Sequence, residues 1–190
     1  NMNHRYLQKF QIKDVVFLAI MSAVALATCA VMPLVISLQP LIFGISQLVT
    51  ALQIGVFFAI GLYKVRKPGS LLIMALMMGL IQLMMSPPMF LSSVLNGVLI
   101  ELIVLLLFRG YEKDAAVFCA AMLHTPLSLP FNYLYNRLVK GADSPLAAVA
   151  DRAPFAAVGM TLAVVAVSAL GALIGIKIAR ELKKSGVLKK

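Results

Sequence analysis

Long stretches without a charge dominate this chain. Residues 15–63 contain no Asp, Glu, Lys or Arg, and residues 68–108 contain a single one, Glu101. Residues 115–136 and 153–176 are charge-free again. A helix needs about 20 predominantly apolar residues to cross a bilayer, so each of the first two runs holds two crossings and each later run holds one. Proline divides the long runs, at Pro33 and Pro40 in the first and at Pro87-Pro88 in the second, because it removes an amide donor and clashes within a helix. The pattern predicts an all-α polytopic membrane protein with six transmembrane helices, over about 12–36, 41–63, 69–86, 89–109, 114–136 and 154–183. No internal repeat or long linker divides the chain, so residues 1–190 read as a single domain. The first apolar run outlasts a signal-peptide core and lacks a small-residue cleavage pattern, so it reads as a retained helix.

Composition agrees with the pattern. Of 190 residues, 62% are hydrophobic and 13% charged, with a mean hydropathy of +0.97. Soluble domains run at about half apolar and a quarter charged, which excludes an ordinary soluble enzyme. The net charge is +10, from 17 Lys and Arg against 7 Asp and Glu. On a soluble chain this would suggest nucleic acid; on a membrane protein the placement of the cations matters more. Arg5, Lys9 and Lys13 stand at the start of the first crossing, Lys64, Arg66 and Lys67 follow the second, Arg109 and Lys113 stand at the end of the fourth, and Lys177, Arg180, Lys183, Lys184, Lys189 and Lys190 stand toward the C-terminus, so fourteen of the seventeen share one side. Arg137, Lys140 and Arg152, beside Asp143 and Asp151, are left for the other. The positive side is cytoplasmic, so both termini are expected there, and no nucleic-acid partner is expected. The basic end after Arg180 suits anionic lipid headgroups. The connection over 137–153 reads as a plain loop or a short interfacial lid.

Sites for chemistry are few. There is no phosphate-binding G-x-x-x-x-G-K-[ST], no H-E-x-x-H and no G-x-S-x-G, which argues against an ATPase or hydrolase. Cys29 and Cys119 lie within apolar runs without C-x-x-C or Cys/His spacing, so no disulfide, metal site or cofactor is expected. Met74, Met77, Met78, Met84, Met85 and Met89 read as adaptable packing. In the first helix Ala19, Ala23 and Ala27 recur every four residues and form a smooth stripe on one face. Such stripes pack helices in membranes, either within this protein or against another membrane subunit. Gly171 and Gly175 offer a similar surface in the last helix, read as internal packing.

Polar residues within the crossings favour the outer half. Gln47, Gln82, Ser92, Ser93, Asn96, Asn132, Tyr133, Tyr135 and Asn136 lie high, while Gln53, Glu101 and His124 lie nearer the middle. Unpartnered polar groups are costly in hydrocarbon, so these side chains should face the bundle interior and line an externally open cavity. A channel would carry polar groups through its full depth. Gln47, Gln82, Asn96, Glu101, His124, Asn132 and Tyr133 are the candidate substrate-binding residues. An intramembrane acid is a functional candidate by default, although Glu101 could instead pair with His124. His124 could likewise satisfy carbonyls freed by Pro126 and Pro130.

Six helices in about 190 residues, the Ala19-Ala23-Ala27 stripe and the outer cavity together resemble the substrate-binding S component of an energy-coupling factor (ECF) transporter. Within that family, Val65-Arg66-Lys67-Pro68-Gly69 and the stretch from Asn96-Gly97 through Glu101-Leu102 to Leu107-Phe108-Arg109 are similar to the thiamine and hydroxymethylpyrimidine group. The resemblance implies a bacterial cytoplasmic-membrane subunit of a vitamin-uptake ABC system. Its partners would be a transmembrane T component, docked on the Ala stripe, and two cytoplasmic ATPase subunits. ATP hydrolysis would tip the capture subunit and carry its pocket inward, with the connections at about 33–40 and 86–89 as gates. Thiamine binders of the family use tryptophan for stacking, and this chain has none. Tyr133, Tyr135 or Phe131 would then replace it, or the ligand is another vitamin, a corrinoid or haem. Two other classes stay open: a standalone secondary transporter or channel, and a membrane enzyme or assembly factor with Glu101 and His124 as an acid–base pair.

Overall fold

The computed structural model describes residues 9–141 and 143–188; Arg5, Lys189 and Lys190, counted above among the cations, lie outside them. Every regular element among the described residues is helical. In order they are α1 (Ile12–Thr28), α2 (Met32–Ile36), α3 (Ile45–Val65), α4 (Ser70–Leu83), α5 (Pro87–Phe108), α6 (Asp114–Tyr135), a π-helical turn (Asn136–Lys140), α7 (Pro145–Arg152) and α8 (Pro154–Lys184). Helices α3, α5 and α8 are each long and apolar enough to cross a membrane, and α4 is a shorter apolar helix. Leu34, Leu106, Leu107 and Phe155 are among many large apolar side chains on the outer surface. Apolar surface this extensive belongs against lipid.

Two expected segments differ in the structure. The stretch 12–36 divides into α1 and α2: the Thr28 hydroxyl turns back to the Ala25 carbonyl (2.7 Å), and α2 starts afresh with Pro33 in its first turn. The 137–153 connection is built from the π-helical turn and α7. At Pro87-Pro88 the chain does break as proline requires, and α5 uses both prolines in its first turn, where no amide donor is needed.

The bundle is organised around α3, which packs chiefly on α8 and also on α6 and α1, while α4 pairs with α5. Small residues set the tightest approach. A Cβ on Gly171 would lie 2.5 Å from the Leu52 carbonyl oxygen, and one on Gly175 would strike that of Val56. This close backbone contact supplies the van der Waals attraction that apolarity alone cannot provide between helices in lipid. Buried hydroxyls stitch the other pairs. Ser22 donates to the Leu18 and Met74 carbonyls (2.9 and 3.1 Å), joining α1 to α4, and Ser93 donates to the Ala75 carbonyl (2.9 Å), joining α5 to α4.

Ion pairs gather the basic segments at one end. Lys67 pairs with Asp14 (2.6 Å), while Arg66 and Arg180 share Asp114 (2.5 and 2.9 Å). The start of α1, the α3–α4 and α5–α6 connections and the end of α8 therefore meet. At the other end of α6, Arg137 pairs with Asp151 of α7 (2.6 Å).

Candidate functional site

A cavity of about 90 Å³ opens at the end away from the Asp114 ion pairs, where α3 and α5 begin and α4 and α6 finish. Its walls are Met32 of α2, Gln47, Thr50 and Ile54 of α3, and Met78 and Gln82 of α4. Met89, Ser92, Ser93 and Asn96 of α5 and His124, Thr125, Ser128 and Asn132 of α6 complete it. The spacing explains the assembly. Gln47, Thr50 and Ile54, like Thr125, Ser128 and Asn132, follow i, i+3, i+7 and so share one helix face. No wall residue is an Asp, Glu, Lys or Arg.

Several buried polar atoms at this cavity have no hydrogen-bond partner among the described residues: Asn96 Oδ1, both ring nitrogens of His124 and Thr125 Oγ1. Leaving such groups unpaired costs about 1–3 kcal/mol each. The His124 ring is held instead by its face, tilted 54° against Phe58 with centroids 4.5 Å apart, which fixes the ring without engaging its nitrogens. Nor does His124 serve the carbonyls freed by proline. Pro126 cannot donate to Met122, and the Met122 carbonyl is satisfied from α8 by the Ser168 hydroxyl (2.8 Å). Gln47 is oriented by the Ser46 hydroxyl, which donates to Oε1 (2.8 Å) and accepts from the Gln39 amide. The 33–40 segment thus touches the mouth of the cavity.

Gln47, Gln82, Asn96, His124 and Asn132 are brought together here; Glu101 and Tyr133 are not. Glu101 is only 6% exposed, and its carboxylate accepts from the Gly69 amide (2.6 Å) and the Tyr111 hydroxyl (2.9 Å). Gly69 is the N-cap of α4, so the carboxylate closes the start of that helix, where unpaired amides and the helix dipole favour negative charge. Glu101 therefore does not pair with His124. Tyr133 lies in a polar surface cluster, donating to Asp151 (2.7 Å) and accepting from Arg137 (2.6 Å). Tyr135 and Phe131 are also absent from the walls, and the flat ring facing the cavity is that of His124. Gln53 lies outside the cavity, its buried Oε1 without a partner among the described residues.

The hydroxyls of Thr50, Thr125 and Ser128 were missing from the sequence candidates. Their signal was their spacing from Gln47 and Asn132 along a helix face, which is meaningful only once the glutamine and asparagine are known to face inward. The Ala stripe lies on the outside. Helix α1 buries Leu18, Ser22 and Ala25, whereas Ala23 and Ala27 are exposed and Ala19 is half-buried.

A family model described as "Hypothetical bacterial integral membrane protein (Trep_Strep)" matches residues 12–184. No curated protein matches the chain. Among solved structures, the crystal structure of an S-component of ECF transporter is similar over 95% of this chain and 89% of that one, with a TM-score of 0.64 and 22% identity. That likeness is one of fold, an all-helical membrane bundle. The chain is therefore a multi-pass bacterial membrane protein that shares the fold of an ECF S component and belongs to the Trep_Strep family of integral membrane proteins.

Proposed function

We propose that the protein is the substrate-capture subunit of an energy-coupling factor importer and not itself an enzyme. It holds an uncharged, vitamin-like molecule between α3, α4, α5 and α6. The observation that carries this reading is a single cavity walled by Asn96, His124 and Thr125, whose Oδ1, ring nitrogens and Oγ1 are buried without a hydrogen-bond partner among the described residues. A ligand offering matching donors and acceptors would offset their desolvation. The fold shared with an S component supports the same class. In this reading the chain is one unit crossing the membrane six times, through α1 with α2, α3, α4, α5, α6 and α8. Both termini are cytoplasmic and the cavity faces out. A T component docks on Ala19, Ala23 and Ala27, and two ATPase subunits supply the energy that carries the cargo inward.

The walls narrow the ligand. With no charged side chain, the cavity offers no counter-charge to the thiamine cation or to the carboxylates of haem. Gln47, Gln82, Asn96, His124 and Asn132 provide amide and imidazole groups that both donate and accept. They suit a small heteroaromatic ring with a hydroxyl substituent. Hydroxymethylpyrimidine is the first compound of this kind to test.

Thermal unfolding of the detergent-purified protein tests the reading against hydroxymethylpyrimidine, thiamine, riboflavin, pantothenate, biotin, cobalamin and haem. Ligand at about 100 times its Kd stabilises the folded state by about 2.7 kcal/mol. The expected result is a shift with hydroxymethylpyrimidine or another neutral heterocycle that is about halved in Asn96→Ala. Folded protein that responds to no small molecule, together with no uptake in vesicles containing the partner subunits, would sink the capture reading.

A further inference from the structure

The ion-paired end of the bundle holds a second concavity of about 550 Å³. Five cations line it: Lys13 from α1, Lys64, Arg66 and Lys67 from the end of α3 and its connection, and Lys183 from α8. Two carboxylates, Asp14 and Glu112, share the lining with them. Two of the cations are already paired, Arg66 with Asp114 and Lys67 with Asp14. Lys13, Lys64 and Lys183 have no carboxylate within ion-pair distance among the described residues. Aromatic faces hold two of these three. The Lys64 ammonium lies 3.9 Å from the centroid of the Phe17 ring, and that of Lys183 lies 5.9 Å from Tyr63. An aromatic face positions an ammonium while leaving its charge unneutralised. Three segments far apart in sequence thus present positioned, unpaired positive charge to one hollow, which calls for an anion with several acceptor oxygens.

The adjacent surface says which anion. Ile12, Val16 and Ile20 recur every four residues on α1 and are 84%, 50% and 49% exposed. They form an apolar track running from beside Lys13 into the membrane, on the face of α1 that carries Ala19 and Ala23, so a lipid tail there would give way to a docked partner. A molecule with an anionic head and a hydrocarbon tail would match both features, head in the hollow and tail along the track. We propose that this pocket seats the phosphate of an anionic phospholipid headgroup. Basic hollows between helices on the cytoplasmic side are suited to such heads, each lysine contributing locally to attraction.

The test uses the full chain in mild detergent and follows the thermal midpoint during titration with phosphatidylglycerol, phosphatidylcholine or inorganic phosphate at matched ionic strength. The wild type is compared with Lys13→Gln, Lys64→Gln and Lys183→Gln, singly and combined. Phosphatidylglycerol is expected to raise the wild-type midpoint progressively with its concentration, whereas phosphatidylcholine and inorganic phosphate leave it in place. The lipid concentration needed for a given shift should rise about fivefold for each lysine replaced, and Lys64→Arg should keep the wild-type response. An unchanged response of the glutamine variants overturns the proposal, as does no response of the wild type or an equal response to phosphatidylcholine. An equal response to inorganic phosphate overturns the lipid assignment in favour of a soluble anion. The single variants carry the test on their own should the combined one fail to fold.

Discussion

At the cavity, Asn96, His124 and Thr125 are buried with polar side-chain atoms that have no partner among the described residues. Their removal therefore separates stability from binding. Asn96→Leu exchanges an unpaired amide for a hydrocarbon of similar size, so the ligand-free protein should keep or raise its thermal midpoint while ligand affinity falls about tenfold. Calorimetric titration beside a melting curve checks this, and parallel loss of both properties would assign the amide to packing. Glu101 predicts the reverse. Glu101→Ala strips partners from the Gly69 amide and the buried Tyr111 hydroxyl, which should cost about 3 kcal/mol of stability. Affinity measured on the protein that remains folded should not change. A selective loss of affinity would return Glu101 to the ligand site. The acid was conspicuous in the sequence because intramembrane carboxylates are costly, but that cost is equally met by capping a helix. Only the position of Gly69 distinguishes the two uses.

At the scale of elements, α6 shows how proline is accommodated in lipid. The Met122 carbonyl released by Pro126 is taken up by Ser168 on α8, so a broken internal bond becomes a bond between helices. Ser168→Ala should leave that carbonyl bare and lower stability by about 1–3 kcal/mol. Thr161→Ala, which removes only a donation to Ala157 within the same helix, should be nearly silent. Melting curves of the two variants make the comparison. Glycines on α8 give a second contrast. Gly171 touches the backbone of Leu52, whereas nothing lies within 4 Å of a Cβ at Gly159. Gly171→Leu should therefore push α8 away from α3 and abolish a monodisperse peak on size-exclusion chromatography, while Gly159→Ala should elute as the wild type. The helical character of these segments was legible from charge-free length. The break between α1 and α2 was not, because Thr28 and Cys29 are compatible with a continuing helix and the chain turns there through local capping.

Across the whole molecule, the two ends differ in chemistry. One gathers ion pairs and surplus lysines, the other an uncharged polar cavity, and the apolar belt between them meets lipid. The alanine stripe lies on the outside of this belt, with Ala23 exposed. On the proposed docking of a T component at this stripe, Ala23→Phe should leave the melting curve and ligand affinity unchanged while abolishing uptake into vesicles that contain the partner subunits. Uptake at the wild-type rate would remove the stripe from the transport mechanism, and a fall in the melting curve would make it a packing surface.

The sequence by itself determined the membrane setting, the helical class and the clustering of cations near particular segment ends. Each depends on local and additive quantities: apolar length, charge spacing and the obligation to satisfy backbone hydrogen bonds in lipid. It also narrowed the polar candidates, since Gln47, Gln82, Asn96, His124 and Asn132 do meet at one cavity. Tertiary structure alone decided that Glu101 and Tyr133 do not join them, that Ser168 serves Pro126 in place of His124, and that Lys13, Lys64 and Lys183 share a hollow. These outcomes depend on the rotation of each helix about its axis and on which carbonyls and amides a neighbouring helix presents. Both are properties of packing between segments distant in sequence, and hydrophobic periodicity is nearly blind to them when a helix is apolar on all sides.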